Sequence, residues 1–507
     1  MRVRARSWTA LLLALVALGL AGGLRGSAQS DTPDLQLQRG QALYGEGRYR
    51  EALAAFLQAS SAETPAVKGP AQVGVLQAAL RVAEFGLARS TAVALRQERP
   101  SDTGILSLYG DAMWSAGLFE EARQAYEDAV TRNPDEARAH NGLARVFSAR
   151  IRYTEALAHA LTAVRLAPDE GDFSFTLGST YQRMGRYPEA ATALERFITL
   201  LPRGENDDRA LLARSTIKAL RAFGKDVPNS IAGSSDAVYV LPFRLSNEKI
   251  IVVGRINRGP EMEFVVDTGA ELATVSRRAA ERSNVTATAS TISAGVGEIG
   301  LRGLQIGRID NLEFGSLRVR NVPCIIKTPP LADLPTAEPE SVSPLALGLS
   351  MAVDYEKRTV TLARHLPADV APPDETMALW LTRLATVRGM VGDQDARSFV
   401  VDTGGQVISI STDTAKALPT LPGVSHIALK VYGASGWDRE AYLLPGVNLA
   451  FNAIRFSSMS VVVLNLRAPS VLLGYELGGI VGHQFLRKYH VSFDLEKAEL
   501  RLRRTVS

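Results

Sequence analysis

One hexapeptide occurs twice in this chain. Phe264-Val265-Val266-Asp267-Thr268-Gly269 returns 135 positions later as Phe399-Val400-Val401-Asp402-Thr403-Gly404. An apolar β-run delivers an aspartate into a turn, and the glycine permits the tight backbone there. The threonine hydroxyl donates and accepts, so it can hold the turn and bond a neighbouring strand. One such loop presents one carboxylate. Two loops from two similar lobes present two carboxylates, which cannot both ionise at about 3 Å. They share a proton: one acts as a base toward water, the other as an acid toward a carbonyl oxygen. Asp267 and Asp402 are the candidate catalytic residues, with Thr268, Gly269, Thr403 and Gly404 shaping the turns.

The elements around these turns are strands. From Val238 onward, short β-branched runs such as Ile250-Ile251-Val252-Val253 and Val461-Val462-Val463 alternate with turn residues. This region resembles a tandem of two retropepsin-like aspartic protease lobes, arranged in one chain as in pepsin. Lobe 1 spans residues 237–365 and lobe 2 residues 378–505, joined by a proline-containing linker at 366–377. The resemblance implies a mostly-β bilobal fold, aspartic endopeptidase activity on a polypeptide substrate, and no metal or cofactor, because the nucleophile is water. It also implies two apolar residues and a glycine late in each lobe, then a short helix and a last strand. Lobe 2 matches with Gly479-Ile480-Val481-Gly482, Phe485 to Tyr489 and Val491 to Asp494. Lobe 1 offers only Leu347-Gly348-Leu349, with 6 residues from Gly348 to Asp354 against 12 from Gly482 to Asp494. Lobe 1 is therefore expected to lack most of that helix. Asp267-Thr268-Gly269-Ala270 has the retroviral form of the motif, whereas Gly405 after the second triplet is less usual.

This chemistry needs water excluded and the substrate held extended. Gly295-Val296-Gly297 and Gly433-Ala434-Ser435-Gly436-Trp437, each about 30 residues after its aspartate, are the candidate flap tips. Gly295, Gly297, Gly433, Gly436 and Trp437 are the flap residues. Gly-x-Gly-x-x-Gly at 295–300 has no helix after it and no acidic residue at the required distance, so it is no nucleotide site. The six histidines show no metal-ligand spacing, and the single cysteine, Cys324, lies in an apolar run and reads as buried and inert.

The first half is helical and repetitive. Pro134, Pro168 and Pro202 recur every 34 residues, as do Gly110, Ala144 and Gly178, and Phe119, Tyr153 and Tyr187. These positions resemble the tetratricopeptide repeat, TPR. Small residues let two helices of a hairpin approach closely, aromatics fill the adjacent gap, and proline ends the second helix. An earlier copy runs from Gly40 to Phe56, and residues 67–100 read as a degenerate one. The array spans 33–223, with Arg209 to Phe223 as its cap, and 224–236 is a linker. Its concave surface is suited to a protein partner.

At 507 residues the chain is too long for one core, and 46% apolar with 22% charged residues argues against disorder. Residues 1–28 read as a secretory signal: Arg2, Arg4 and Arg6, an apolar Leu11 to Leu20, then Gly26-Ser27-Ala28. Cleavage there would remove four arginines and take the net charge from +4 to zero, which leaves no case for nucleic-acid binding. The mature protein is expected to be exported, periplasmic or extracellular, with no later membrane span. Two rival readings stand beside the enzyme: a non-catalytic peptide-binding scaffold with a degenerate protease-like domain, and lobes that pair between two chains.

Overall fold

The computed structural model describes residues 32–296, 301–327, 340–368, 371–394, 396–419, 426–433 and 436–505. The leader at 1–28 and the flap residue Gly297 lie outside them. Helices α1 (Pro33–Gly45), α2 (Tyr49–Ala59), α3 (Pro65–Arg81), α4 (Phe85–Glu98), α5 (Thr103–Ser115), α6 (Phe119–Arg132), α7 (Ala137–Ala149), α8 (Tyr153–Leu166), α9 (Gly171–Arg183) and α10 (Tyr187–Thr199) form five hairpins. The cap is α11 (Asp208–Phe223). The degenerate segment is thus a complete repeat, α3 with α4.

Small residues sit where the helices touch. A Cβ on Gly110 would lie 2.5 Å from the Tyr126 ring, and one on Gly40 or Gly74 would lie 2.6 Å from Phe56. Each turn inside a hairpin needs one left-handed residue. Gly47, Gly117 and Gly185 supply it at φ between 72° and 75°, whereas Ala83 and Ile151 hold it at 58° and 63° against their Cβ strain. The array also curls tightly enough for distant repeats to meet. Arg81 of α3 pairs with Asp172 of α9 at 2.6 Å, and Arg209 of α11 reaches the same carboxylate at 3.0 Å.

Three of the intra-hairpin turns, at Glu84, Gly117 and Arg150, rest on lobe 2. The Glu476 N–H donates to the Ser115 carbonyl at 2.8 Å. Arg150 donates to the carbonyls of Leu379 and Ala498 at 2.8 and 2.9 Å. The Phe119 ring lies 5.3 Å from Trp380 and 5.0 Å from Tyr475. A single buried apolar cluster runs through Leu106, Trp114 and Phe119 of the array and Trp380, Val462 and Tyr475 of lobe 2. Array and protease-like region therefore share a core.

In lobe 1, strands Lys249–Ile256, Glu261–Val266, Ala273–Ser276, Thr286–Ala294, Leu301–Phe314, Leu317–Lys327 and Glu340–Val342 form the body of one sheet. Lobe 2 repeats the plan with Ala385–Val391, Arg397–Val401, Ile408–Ser411, Tyr442–Phe451, Ile454–Leu464 and Leu477–Val481. A six-stranded sheet drawn from both lobes joins them, with Met351 opposite Phe493 and Val353 opposite Val491. Neither segment read as a linker is wholly free. Ser230–Ile231 pairs with Leu317–Lys327, and Glu375–Ala378 pairs with Glu499–Arg504.

Candidate active site

Both aspartates stand at the ends of buried strands, in turns that face each other within one chain. The Asp267 N–H donates to the Val342 carbonyl at 2.9 Å, and the Asp402 N–H to the Val481 carbonyl at 3.0 Å. Each carboxylate is held from its own turn: Gly269 N–H donates to Asp267 Oδ1 at 3.0 Å, and Gly404 N–H to Asp402 Oδ1 at 2.8 Å. The threonines cross between lobes. Thr268 Oγ1 donates to the Val401 carbonyl at 2.6 Å and accepts from the Thr403 N–H at 3.0 Å. Thr403 Oγ1 donates to the Val266 carbonyl at 2.7 Å and accepts from the Thr268 N–H at 3.1 Å. Both side chains are fully enclosed, so these bonds act without competition from water.

The glycines are required by the opposite aspartate. A Cβ on Gly269 would lie 2.5 Å from Asp402 Cγ, and one on Gly404 would lie 2.6 Å from Asp267 Cγ. Gly405 lies against its own lobe's aspartate instead, since its Cβ would lie 2.7 Å from Asp402 Oδ2, and lobe 1 has Ala270 at the matching position. Two carboxyl groups are thus pressed together out of water. Burial first, then the neighbouring Asp402 carboxyl, push Asp267 up to about 8. The shared proton is a property of the pair.

Lobe 1 has no helix to match His483–Leu486, as expected, but the element that supports its catalytic turn is present and lies at Ser343 rather than Gly348. Strand Glu340–Val342 runs parallel to Glu261–Val266 with Val342 beside Val266, as Val481 lies beside Val401. Ser343 therefore occupies the place of Gly482, not Gly348. Leu347 N–H then donates to the Ser343 carbonyl at 3.3 Å, matching Leu486 N–H to the Gly482 carbonyl at 3.3 Å. Ser343 to Asp354 is 11 residues, within one of lobe 2. Lobe 1 keeps its supporting turn, with Leu345, Leu347 and Leu349 buried in the core. A serine in the glycine's place and a proline after it hid this from the sequence.

The flap residues come together only in part. Gly433 and Gly436 pair across a short hairpin with Tyr432 opposite Trp437, whose rings lie 5.4 Å apart. Gly433 packs against Val296, next to Gly295, so the two tips meet across the lobes. Sequence reading missed the inter-lobe contacts flanking the dyad. Arg383 pairs with Glu271 at 2.5 Å, Arg487 with Glu248 at 2.9 Å, and Gln406 Nε2 donates to the Asn247 carbonyl at 2.9 Å. Overlaying the chain on itself at the 135-residue offset sets Glu248 on Arg383 and Glu271 on Gln406, which would have singled them out. Cys324 is buried, and burial pushes its thiol up to about 12. Among the described residues no three His, Cys, Asp or Glu side chains gather as a metal site would require. No described helix is long and apolar enough to cross a membrane.

The aspartyl protease family model matches residues 252–350 and again 387–477. Tetratricopeptide repeat models match 76–133, 110–171 and 172–203. The Hsp70-Hsp90 organizing protein of Triticum aestivum is 30% identical over 129 residues, 25% of this chain and 21% of that protein. This chain therefore spans about a fifth of that relative's length. A thermophilic TPR protein of Thermus thermophilus is 22% identical with a TM-score of 0.32, over 38% of this chain and 100% of its own. A tetratricopeptide repeat protein from Parabacteroides merdae is 19% identical with a TM-score of 0.30, over 38% and 74%. The chain carries two tandem aspartyl protease lobes of the retropepsin-like kind behind an array of tetratricopeptide repeats.

Proposed function

We propose that this protein is an exported aspartic endopeptidase whose nucleophile is a water held between Asp267 and Asp402. The observation that supports it most is the reciprocal packing of the two turns: each carboxyl lies over the other lobe's glycine, and each threonine bonds the other lobe's backbone. Buried paired carboxyls are costly to keep, and a group that shares a proton is what water activation needs. The carboxylate takes a proton from water as the water oxygen bonds to the peptide carbonyl carbon. The protonated partner gives its proton to the carbonyl oxygen. Collapse of the resulting diol breaks the C–N bond as the nitrogen takes a proton. The two flap tips would close over an extended peptide by strand addition.

The repeats are proposed to hold a protein partner. Arg81, Asp111, Arg138, Arg145, Asp172 and Arg209 are ion-paired among themselves, so a partner at these side chains must exchange those pairs. The supporting turn of lobe 1 at Ser343 favours the enzyme over a non-catalytic scaffold.

Cleavage of an unfolded protein, with and without pepstatin, tests the reading. Asp267→Asn and Asp402→Asn should each abolish cleavage, and the double variant should be little worse than either. Because the folded carboxyl is raised from near 4 to about 8, it costs stability as pH climbs through that interval. Either asparagine should therefore hold or raise Tm at pH 7 and do nothing at pH 3. Substantial cleavage by Asp267→Asn would refute the intramolecular dyad.

A further inference from the structure

The array contains two histidines, His140 and His159, and they touch. They come from the two helices of one hairpin, α7 and α8. His140 Nδ1 lies 2.8 Å from His159 Nδ1, with the rings 5.1 Å apart and inclined by 33°. His140 is 9% exposed, and its Nε2 faces the Pro134 carbonyl at 2.9 Å. His159 stacks on Phe147 of α7 at 5.3 Å and 21°.

These contacts fix where the hydrogens sit. A carbonyl only accepts, so His140 Nε2 carries the hydrogen of the neutral ring and its Nδ1 is a lone pair. His159 Nδ1 must then donate to it, which leaves His159 Nε2 as the bare nitrogen. A first proton goes to that Nε2 and keeps both hydrogen bonds. A second can go only to His140 Nδ1, where it meets the His159 Nδ1–H head-on across 2.8 Å. The closed pair has room for one proton, whereas two separated histidines take two.

The charged groups on the surrounding elements are already engaged. Glu155 of α8 is the one carboxylate acting on His159, and Arg152 holds it at 2.9 Å while lying over the Phe147 ring at 4.6 Å. Glu136, which caps α7, accepts from Thr103 of α5 at 3.4 Å, and Arg132 of α6 turns to the Pro100 carbonyl at 3.0 Å. Asp172 of α9 is paired with Arg81 and Arg209. Burial first, and then the His140 ring, hold His159 below its usual 6.5 against the pull of Glu155. The hairpin tied in this way also seats the array on lobe 2. Its turn carries Arg150, which donates to the Leu379 and Ala498 carbonyls, and Ile151, which packs against the core of the lobes.

We propose that His140 and His159 form an acid-sensitive pin: with one proton or none added they tie α7 to α8, and doubly protonated they part and loosen the hairpin that seats the array on lobe 2. The inference does not rest on the endopeptidase reading.

Amide exchange of the full chain, followed by mass spectrometry between pH 7 and 5 and corrected for the intrinsic rate at each pH, tests it. The opened hairpin binds one proton more than the closed one, so below about pH 6.5 its population should rise by up to about tenfold per pH unit. Exchange in α7 and α8 should rise by that factor over exchange in α1 and α2, which carry no histidine. His159→Gln is the decisive variant, because its amide donates to the neutral His140 Nδ1 and, flipped, accepts from the protonated one. It should keep the parent's exchange at pH 7 and lose the acid-driven excess. His140→Gln, a change on the other helix, should lose the excess as well. No excess in the parent, or an undiminished excess in either variant, overturns the proposal.

Discussion

Phe119→Ala is the sharpest probe of how this chain is organised. The ring is 4% exposed and wedged between Trp114 of its own array and Trp380 and Tyr475 of lobe 2, at 4.7, 5.3 and 5.0 Å. Truncating a phenylalanine so enclosed costs about 4 kcal/mol, because the three large neighbours cannot close the hole. What that does to Tm depends on the size of the cooperative unit. With unfolding entropies near 2 cal/mol/K per residue, about 4 kcal/mol lowers Tm by roughly 10 °C if the repeats melt alone, but by roughly 4 °C if the whole chain melts together. The shared core predicts the second outcome, with one calorimetric transition that stays single. The same core predicts that separate pieces cut near Ser234 are poorly soluble, each exposing half of it. A protease-like half that folds alone with the parent Tm, or a change below about 1 °C in Phe119→Ala, would refute the reasoning.

Thr268→Ala removes the bond to the Val401 carbonyl and leaves the buried Thr403 N–H without its acceptor. The cost should be about 2–4 kcal/mol, with Thr268→Ser nearly neutral, as read from urea midpoints. His483 is fully buried against the Tyr355 ring at 5.1 Å, with no partner on either ring nitrogen, and burial holds its pKa below the usual 6.5. The folded form stays neutral while the unfolded one takes a proton, so stability should fall as pH drops below 6.5. His483→Phe should flatten that part of the Tm curve between pH 7 and 5, and an unchanged slope would exclude His483 as the cause.

Local chemistry determined much of this protein from the sequence alone. The 34-residue period fixes the helical hairpins, because proline, glycine and alanine act within a turn or two of where they stand. The duplicated hexapeptide likewise identified Asp267 and Asp402, since strand, turn and glycine are local requirements and a repeat can be seen without a fold. Ser343 in the place of Gly482 shows the limit. That correspondence is set by which strand Glu340–Val342 pairs with, and pairing partners lie far apart along the chain. The array's union with lobe 2 was hidden for the same reason. Phe119 is a repeat position by its spacing, and only the tertiary structure brings Trp380 and Tyr475 to its outer face. Periodicity and turn chemistry are written along the chain, whereas register and docking are decided between segments that meet only on folding.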